Sequence, residues 1–368
     1  MSFFVMKKRC SEPGRKRAGA DTTGISTAAA AAALTAAIVL AFASCVPAGG
    51  RASAQEALDR TASVQDSSTG VGSFPGIPER ELSLEAIETA GAAEPVPGEA
   101  EVRAMAEAYP SRITETAVRD GEWALSMDGV WYVWANGRLL PESERENWEE
   151  YAGVRFYNYQ LGPLVLPEIR PEQAERFRGI REQRAQDTRM RFNRFLDALY
   201  QISTQSEADR LMVRISFLDL TTRVHPLLVE PLARIETRIR EAAASDPETA
   251  EFVRGLAQAA AYNWRNISGT VRRSYHSYGV AMDLVPKSYN RKQAYWQWAD
   301  DAGISEWWSI PLEDRWPVPQ SVIDAFEENG FIWGGKWSLF DNIHFEYRPE
   351  AIVMAYARIA AEAAAAAR

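Results

Sequence analysis

Cysteine is almost absent from this chain of 368 residues: Cys10 and Cys45 are the only two, and both fall within its first 45 positions. A disulfide framework for the body of the protein is therefore excluded, and stability has to come from a packed core. Histidine is nearly as scarce, with three in the whole chain. A basic excess is missing as well: 41 Lys and Arg stand against 50 Asp and Glu, a net charge of -9. That balance argues against a nucleic-acid partner. The long apolar run at residues 27–43 is alanine-rich and short for a transmembrane helix. Residues 46–101 hold almost no aromatics, and no internal repeat interrupts the chain.

What remains is ample for a core. Hydrophobic residues make up 46%, with 12 Trp, 13 Tyr and 14 Phe, mostly after residue 120. One large or two modest domains would fit this supply. The first 17 residues are basic (Lys7, Lys8, Arg9, Arg15, Lys16, Arg17), and the apolar run after them ends in small residues, the pattern of an export signal. Cleavage before Cys45 would leave a lipid-attachment cysteine, although Phe42 replaces the usual aliphatic residue. Cleavage after Ala43 would release a soluble protein, and an uncleaved anchor is the third possibility. The lipoprotein is favoured because one of only two cysteines falls at this spot, so the expected location is periplasmic or cell-surface, with a membrane attachment through Cys45. Residues 46–101, rich in Ala, Gly, Ser, Pro and Glu, read as a disordered tether.

Two of the three histidines lie in a pattern that suits a catalytic zinc ion. Ser274-Tyr275-His276-Ser277-Tyr278-Gly279-Val280-Ala281-Met282-Asp283 is followed about sixty residues later by Asp341-Asn342-Ile343-His344-Phe345-Glu346. A catalytic zinc typically takes three His or carboxylate ligands and leaves a fourth position open to water. His276, Asp283 and His344 would supply the three. Asp341 is placed to move a proton between water and the leaving amine. Residues 280–285 and 344–347 read as two short neighbouring strands that could present Asp283 and His344 to one ion, and Gly279 allows the sharp turn that returns His276 toward them. Glu346, two residues past a ligand, suits the support of an imidazole or an arginine better than metal binding. His225, before Pro226, reads as a turn or helix-start residue.

The S-x-H-x-x-G-x-A-x-D and D-x-x-H-F-E segments resemble the zinc D-alanyl-D-alanine carboxypeptidases of the VanY-like group and the related L-alanyl-D-glutamate endolysins, which share a fold with the Hedgehog signalling domain. The resemblance spans roughly residues 212–355 and includes Phe326 to Trp337, similar to the helix, turn and Gly-Gly-x-Trp stretch before the last ligand in many relatives. It implies His276, Asp283 and His344 as ligands of one zinc ion, Asp341 as general base, and Arg265, within Tyr262 to Thr270, as the arginine that binds the substrate carbonyl or carboxylate. It also implies peptidoglycan stem peptides as substrate and D-alanyl-D-alanine carboxypeptidase activity. An aspartate base matches the endolysin branch, whereas many VanY-like enzymes carry glutamate, so endopeptidase cleavage of an L-Ala-D-Glu bond or a cross-link stays open. So does a non-catalytic, zinc-containing wall-binding lipoprotein.

The remaining pattern predicts an α+β architecture of Hedgehog/DD-peptidase type: a small antiparallel sheet flanked by helices, preceded by a hairpin and a long-helix region. Residues 130–140 read as a β-hairpin around Asn136-Gly137, whose aromatics could bind glycan or form the apolar face of a small sheet. Residues 171–201 read as one long amphipathic helix, 226–244 and 247–263 as two more, 213–217 as a strand, 319–329 as a helix stopped by Gly330, and Pro349 as the start of a last helix. The expected divisions are 1–45 (signal), 46–101 (tether), 102–205 (accessory region), 206–362 (zinc peptidase domain) and 363–368 (tail). Trp296, Trp298, Trp307, Trp308, Trp316, Trp333 and Trp337 could line a cleft or fill the core.

Overall fold

The computed structural model describes residues 96–367 apart from 155 and 157. The expected export signal, Cys45 and nearly all of the expected tether lie outside the described residues. The end of that segment is structured: residues 99–101 form the first turn of helix α1 (Glu99–Ala108), and the Pro97 carbonyl accepts a hydrogen bond from the Trp123 amide.

Four strands follow, β1 (Glu115–Arg119), β2 (Glu122–Met127), β3 (Val130–Trp134) and β4 (Leu139–Pro141), in an antiparallel meander of order β1-β2-β3-β4. The first two connections are the two-residue turns Asp120-Gly121 and Asp128-Gly129, and the third is Asn136-Gly137 closed by the hydrogen-bonded pair Ala135 and Arg138, with both turn residues at positive φ in each. Such turns match the right-handed twist of the strands they join. The expected Asn136-Gly137 hairpin is thus the second half of a larger sheet. Its Tyr132 and Val133 are buried, and Arg119 stacks over Trp131, so this aromatic run serves mainly as the apolar face of the meander.

The expected long helix at 171–201 is not one helix. It divides into α2 (Pro171–Arg178), α3 (Ile180–Gln186), strand β6 (Met190–Arg191) and α4 (Asn193–Tyr200), with β6 pairing in parallel with β5 (Tyr151–Ala152). The physical reason is uneven burial. From 171 to 186 only Phe177 is buried, whereas α4 turns Phe195, Leu196, Leu199 and Tyr200 into the core. A continuous helix would need one continuous apolar stripe.

Helix α5 (Gln205–Leu211) carries a Thr204–Glu207 capping box and leads to the hairpin of β7 (Val213–Phe217) and β8 (Leu220–Val224). His225 starts the next turn as expected: its Nδ1 accepts from the Leu227 amide at 3.1 Å, and its Nε2 faces the Tyr200 carbonyl at 2.9 Å. Helices α6 (Val229–Ser245) and α7 (Pro247–Gly255) come next. The helix expected to run to residue 263 stops at Gly255, and Leu256–Ala260 form strand β9. Alanine's helix preference is a weak prior. Here it yields to ladder bonds with β10 (Ala281–Pro286).

The remaining elements are α8 (Trp296–Asp301), α9 (Gln320–Glu327), β11 (Phe331–Trp333), β12 (His344–Tyr347) and α10 (Pro349–Ala366). A second four-stranded antiparallel sheet has the order β11-β12-β10-β9. Small antiparallel sheets among helices make this an α+β protein. One core joins the two sheets, running from Leu125 and Leu139 through Phe195 and Tyr200 to Ile235, Phe326 and Phe345. A second cluster packs Phe177 against Trp296, Trp307, Trp308 and Phe340. Among the described residues no helix is long and apolar enough to cross a membrane.

A buried polar knot fastens the stretch after the meander to the second sheet. The Tyr159 hydroxyl donates to Glu327 and accepts from the Trp333 amide at 2.9 Å, while Lys336 pairs with Glu327 and donates to the Gln160 carbonyl at 3.0 Å. Segment 158–160 is thereby held beside the strand and turn that lead to β12.

Candidate metal centre

The second sheet brings the expected donors together through its register. β10 and β12 are its two inner strands, and Asp283 sits directly opposite His344 in the antiparallel pairing. His276 comes from a 3-10 turn, Tyr275–Tyr278, capped by the Ser274 hydroxyl. Gly279 ends that turn at φ 64, and a Cβ there would lie 2.8 Å from the His225 backbone nitrogen. Both facts call for glycine, and both allow the chain to reverse within the three residues between the turn and Met282.

Three donor atoms converge. Nδ1 of His344 lies 2.8 Å from Oδ1 of Asp283, Nε2 of His276 lies 3.2 Å from the same oxygen, and the two ring nitrogens are 3.2 Å apart. The other nitrogen of each ring is committed elsewhere. Nδ1 of His276 faces the Ala261 carbonyl at 2.6 Å, and a carbonyl only accepts, so Nδ1 carries the hydrogen and Nε2 offers its lone pair. Nε2 of His344 likewise donates to Glu346 at 3.3 Å, which directs Nδ1 at Asp283. Glu346 in turn accepts from Arg348 at 3.0 Å, Arg348 pairs with Glu350, and Glu350 accepts from the Tyr109 hydroxyl at 3.3 Å.

This donor set fits a divalent cation. Lone pairs from two imidazoles and a carboxylate are drawn into one small volume, an arrangement that positive charge must compensate. In the protein alone a proton does part of this work. Burial lowers the His344 pKa, but the hydrogen-bonded Asp283 and Glu346 carboxylates outweigh it and push the imidazole up to about 10. Burial raises Glu346, yet His344 and Arg348 bring it down to about 2. Asp283 is held well below the usual carboxylate range, burial being outweighed by the two histidines.

Asp341 opens into the same cleft. Its amide donates to the Gly334 carbonyl at 3.0 Å, and its backbone bridges to Tyr295. A Cβ on Gly334 would sit 2.6 Å from the Asp341 carbonyl oxygen, so this close approach needs glycine. Oδ1 of Asp341 is buried with no hydrogen-bond partner among the described residues. Burial pushes its carboxyl up to about 7, with His344 and Arg265 opposing and Asp283 reinforcing the shift. That is a suitable value for a group that must take up and release a proton near neutrality.

Arg265 lies in the irregular stretch beside the His276 turn, next to the isolated bridge of Asn266 with Arg273. Its amide donates to the Ser277 hydroxyl at 3.0 Å, its carbonyl accepts from that hydroxyl at 2.8 Å, and its exposed side chain lines the cleft. The cleft has a volume of about 850 Å³ and contains His276, Asp283, Asp341, His344 and Glu346. The tryptophans divide: Trp296, Trp298, Trp308 and Trp337 reach the cleft, whereas Trp307, Trp316 and Trp333 are buried in the cores. Three contributors were not anticipated from the sequence. The Ala261 carbonyl is invisible there, because any residue supplies one. Tyr295, whose hydroxyl burial pushes up to about 12, and Arg191 come from stretches without a motif.

A family model described as D-alanyl-D-alanine carboxypeptidase matches residues 268–347, a span that holds the three donors and Asp341, with Arg265 just before it. A second model, of a domain family of unknown function, matches residues 101–156, which comprise most of α1 and the whole meander. No curated protein and no solved structure matches the chain.

Proposed function

We propose that this chain is a zinc-dependent peptidase that hydrolyses the stem peptides of peptidoglycan, in a Hedgehog/DD-peptidase type of fold, with D-alanyl-D-alanine carboxypeptidase activity as its main reaction. One observation carries the proposal: a His276, Asp283 and His344 donor set shares a cleft with Asp341, whose buried Oδ1 has no hydrogen-bond partner among the described residues. When bound by these three residues, zinc would supply a Lewis acid that polarises the scissile carbonyl and makes water more acidic. Asp341 accepts the proton of the attacking water and delivers it to the leaving amine. Arg265, exposed at the cleft wall, steadies the developing oxyanion or the substrate's terminal carboxylate. The Ala261 carbonyl and Glu346 keep the two imidazoles in their tautomers.

Export, with a lipid on Cys45 and the segment between it and α1 as a tether, completes the proposal and would bring the cleft to the cell wall. A cleft of about 850 Å³ also has room for more than a terminal dipeptide, which favours endopeptidase cleavage as a second reading. The test is release of D-alanine from a pentapeptide stem, with chelator and with zinc restored. Metal-dependent D-alanine release supports the carboxypeptidase, and metal-dependent cleavage of whole sacculi beside intact pentapeptide supports the endopeptidase. No cleavage of either would leave a zinc-containing wall-binding protein.

A further inference from the structure

Arg191, at the end of β6, is only 6% exposed, yet it pairs with no carboxylate among the described residues. Its guanidinium lies 4.9 Å from the centre of the Tyr275 ring, and Nη1 makes one long bond, 3.5 Å, to the Arg273 carbonyl. Nε is buried without a partner. Neighbouring arginines are treated differently: Arg272 pairs with Asp187 and Arg273 with Asp197. A guanidinium stays protonated at any physiological pH. Held out of water with no counter-charge, it is destabilising.

The side chain lines the cleft of the metal donors, next to Ser274, Tyr275 and His276. The wall it belongs to is a built one. Segment 158–160 is fastened by Tyr159, Glu327 and Lys336, and β6 is paired with β5. Segment 158–160 and β6 themselves lie outside residues 268–347, the span of the carboxypeptidase match. We propose that Arg191 anchors a carboxylate subsite in this cleft, which takes an internal carboxylate of an acidic peptide, separate from the peptide's C-terminal one. The proposal rests on the peptidase reading for the peptide nature of the ligand. The planar fork of arginine suits a carboxylate in two-point contact.

Binding is measured by calorimetry on the full chain in chelator, where turnover is suppressed. The probes are a stem pentapeptide with its internal carboxylates free and the same peptide with them capped as amides, the C-terminal carboxylate being free in both. The native protein should prefer the acidic peptide, and Arg191→Gln should weaken that peptide about tenfold or more while moving the capped one less than about twofold. Equal weakening of both peptides, no change in either, or no preference in the native protein overturns the proposal. Should Arg191→Gln fail to fold, Arg191→Lys replaces it: a narrowed preference supports the subsite, and an unchanged one overturns it. Both peptides are then offered to the zinc-loaded protein. Discrimination without turnover removes the peptidase and keeps the subsite, whereas turnover without discrimination does the reverse.

Discussion

Asp283 and His344 face each other across two antiparallel strands, with Oδ1 of one 2.8 Å from Nδ1 of the other. Two donors from distant parts of the chain are thus set by backbone register, since a slip of one residue would turn either side chain to the opposite face. The third donor, His276, is placed by the turn ending at Gly279, and the Ala261 carbonyl and Glu346 hold the two imidazoles in orientation.

Glu346→Gln should weaken zinc binding by about 10–100-fold, because the carboxylate that fixes the His344 tautomer becomes a neutral amide. Competition against a chromophoric chelator measures this, with circular dichroism as the check on folding. An affinity equal to that of the native protein would mean that Glu346 serves Arg348 alone.

Asp341 gives the metal-free protein a recognisable pH signature. Its carboxyl sits at about 7 in the folded chain, against about 3.9 when unfolded. Between those values the folded state holds a proton that the unfolded state has lost, so this contribution to stability falls as pH rises from about 4 to about 7, by at most a few kcal/mol. Asp341→Asn should remove that part of the slope in urea unfolding at pH 5 and pH 8 in chelator. Identical slopes in the two proteins would contradict it. With zinc restored, the same variant should lose hydrolysis by about 10²-fold or more while still binding the metal.

Lys336→Met should cost about 3–5 kcal/mol, because it leaves Glu327 charged and buried without its partner. The double variant Lys336→Met with Glu327→Gln should recover much of this loss, since no unpaired charge remains. Urea melts of the single and double variants decide the point, and equal losses in both would show that the pair itself carries little of the energy.

The convergence of the candidate metal donors was the most legible part of the sequence because metal chemistry needs particular side chains. His276, Asp283, Asp341 and His344 all reach one cleft, and Gly279 has the left-handed backbone expected of it. Strand β9 was hidden because Leu256 to Ala260 carries no strand-forming side chains; only the open edge of β10 makes it a strand. The broken helix at 171–201 was hidden for the converse reason, since its many charged residues satisfy helical spacing locally without an apolar stripe to bury. Asp120-Gly121 and Asp128-Gly129 carry the same turn signal as Asn136-Gly137, but only the last was expected as a turn. Arg191 had no local signal at all, because what distinguishes it is the carboxylate it does not have.

The hydrogen-bonded series from Tyr109 through Glu350, Arg348 and Glu346 to His344 bears on how far this protein is modular. Tyr109 caps α1, the helix that packs on α10 and belongs to the amino-terminal region, while His344 is one of the three donors of the candidate metal centre. Cutting the chain near residue 206 would therefore do more than remove a neighbour. It would uncover one side of α10 and admit water to a row of buried charges that ends on the His344 imidazole. The span matched as a carboxypeptidase is, in this protein, a graft that depends on its rootstock.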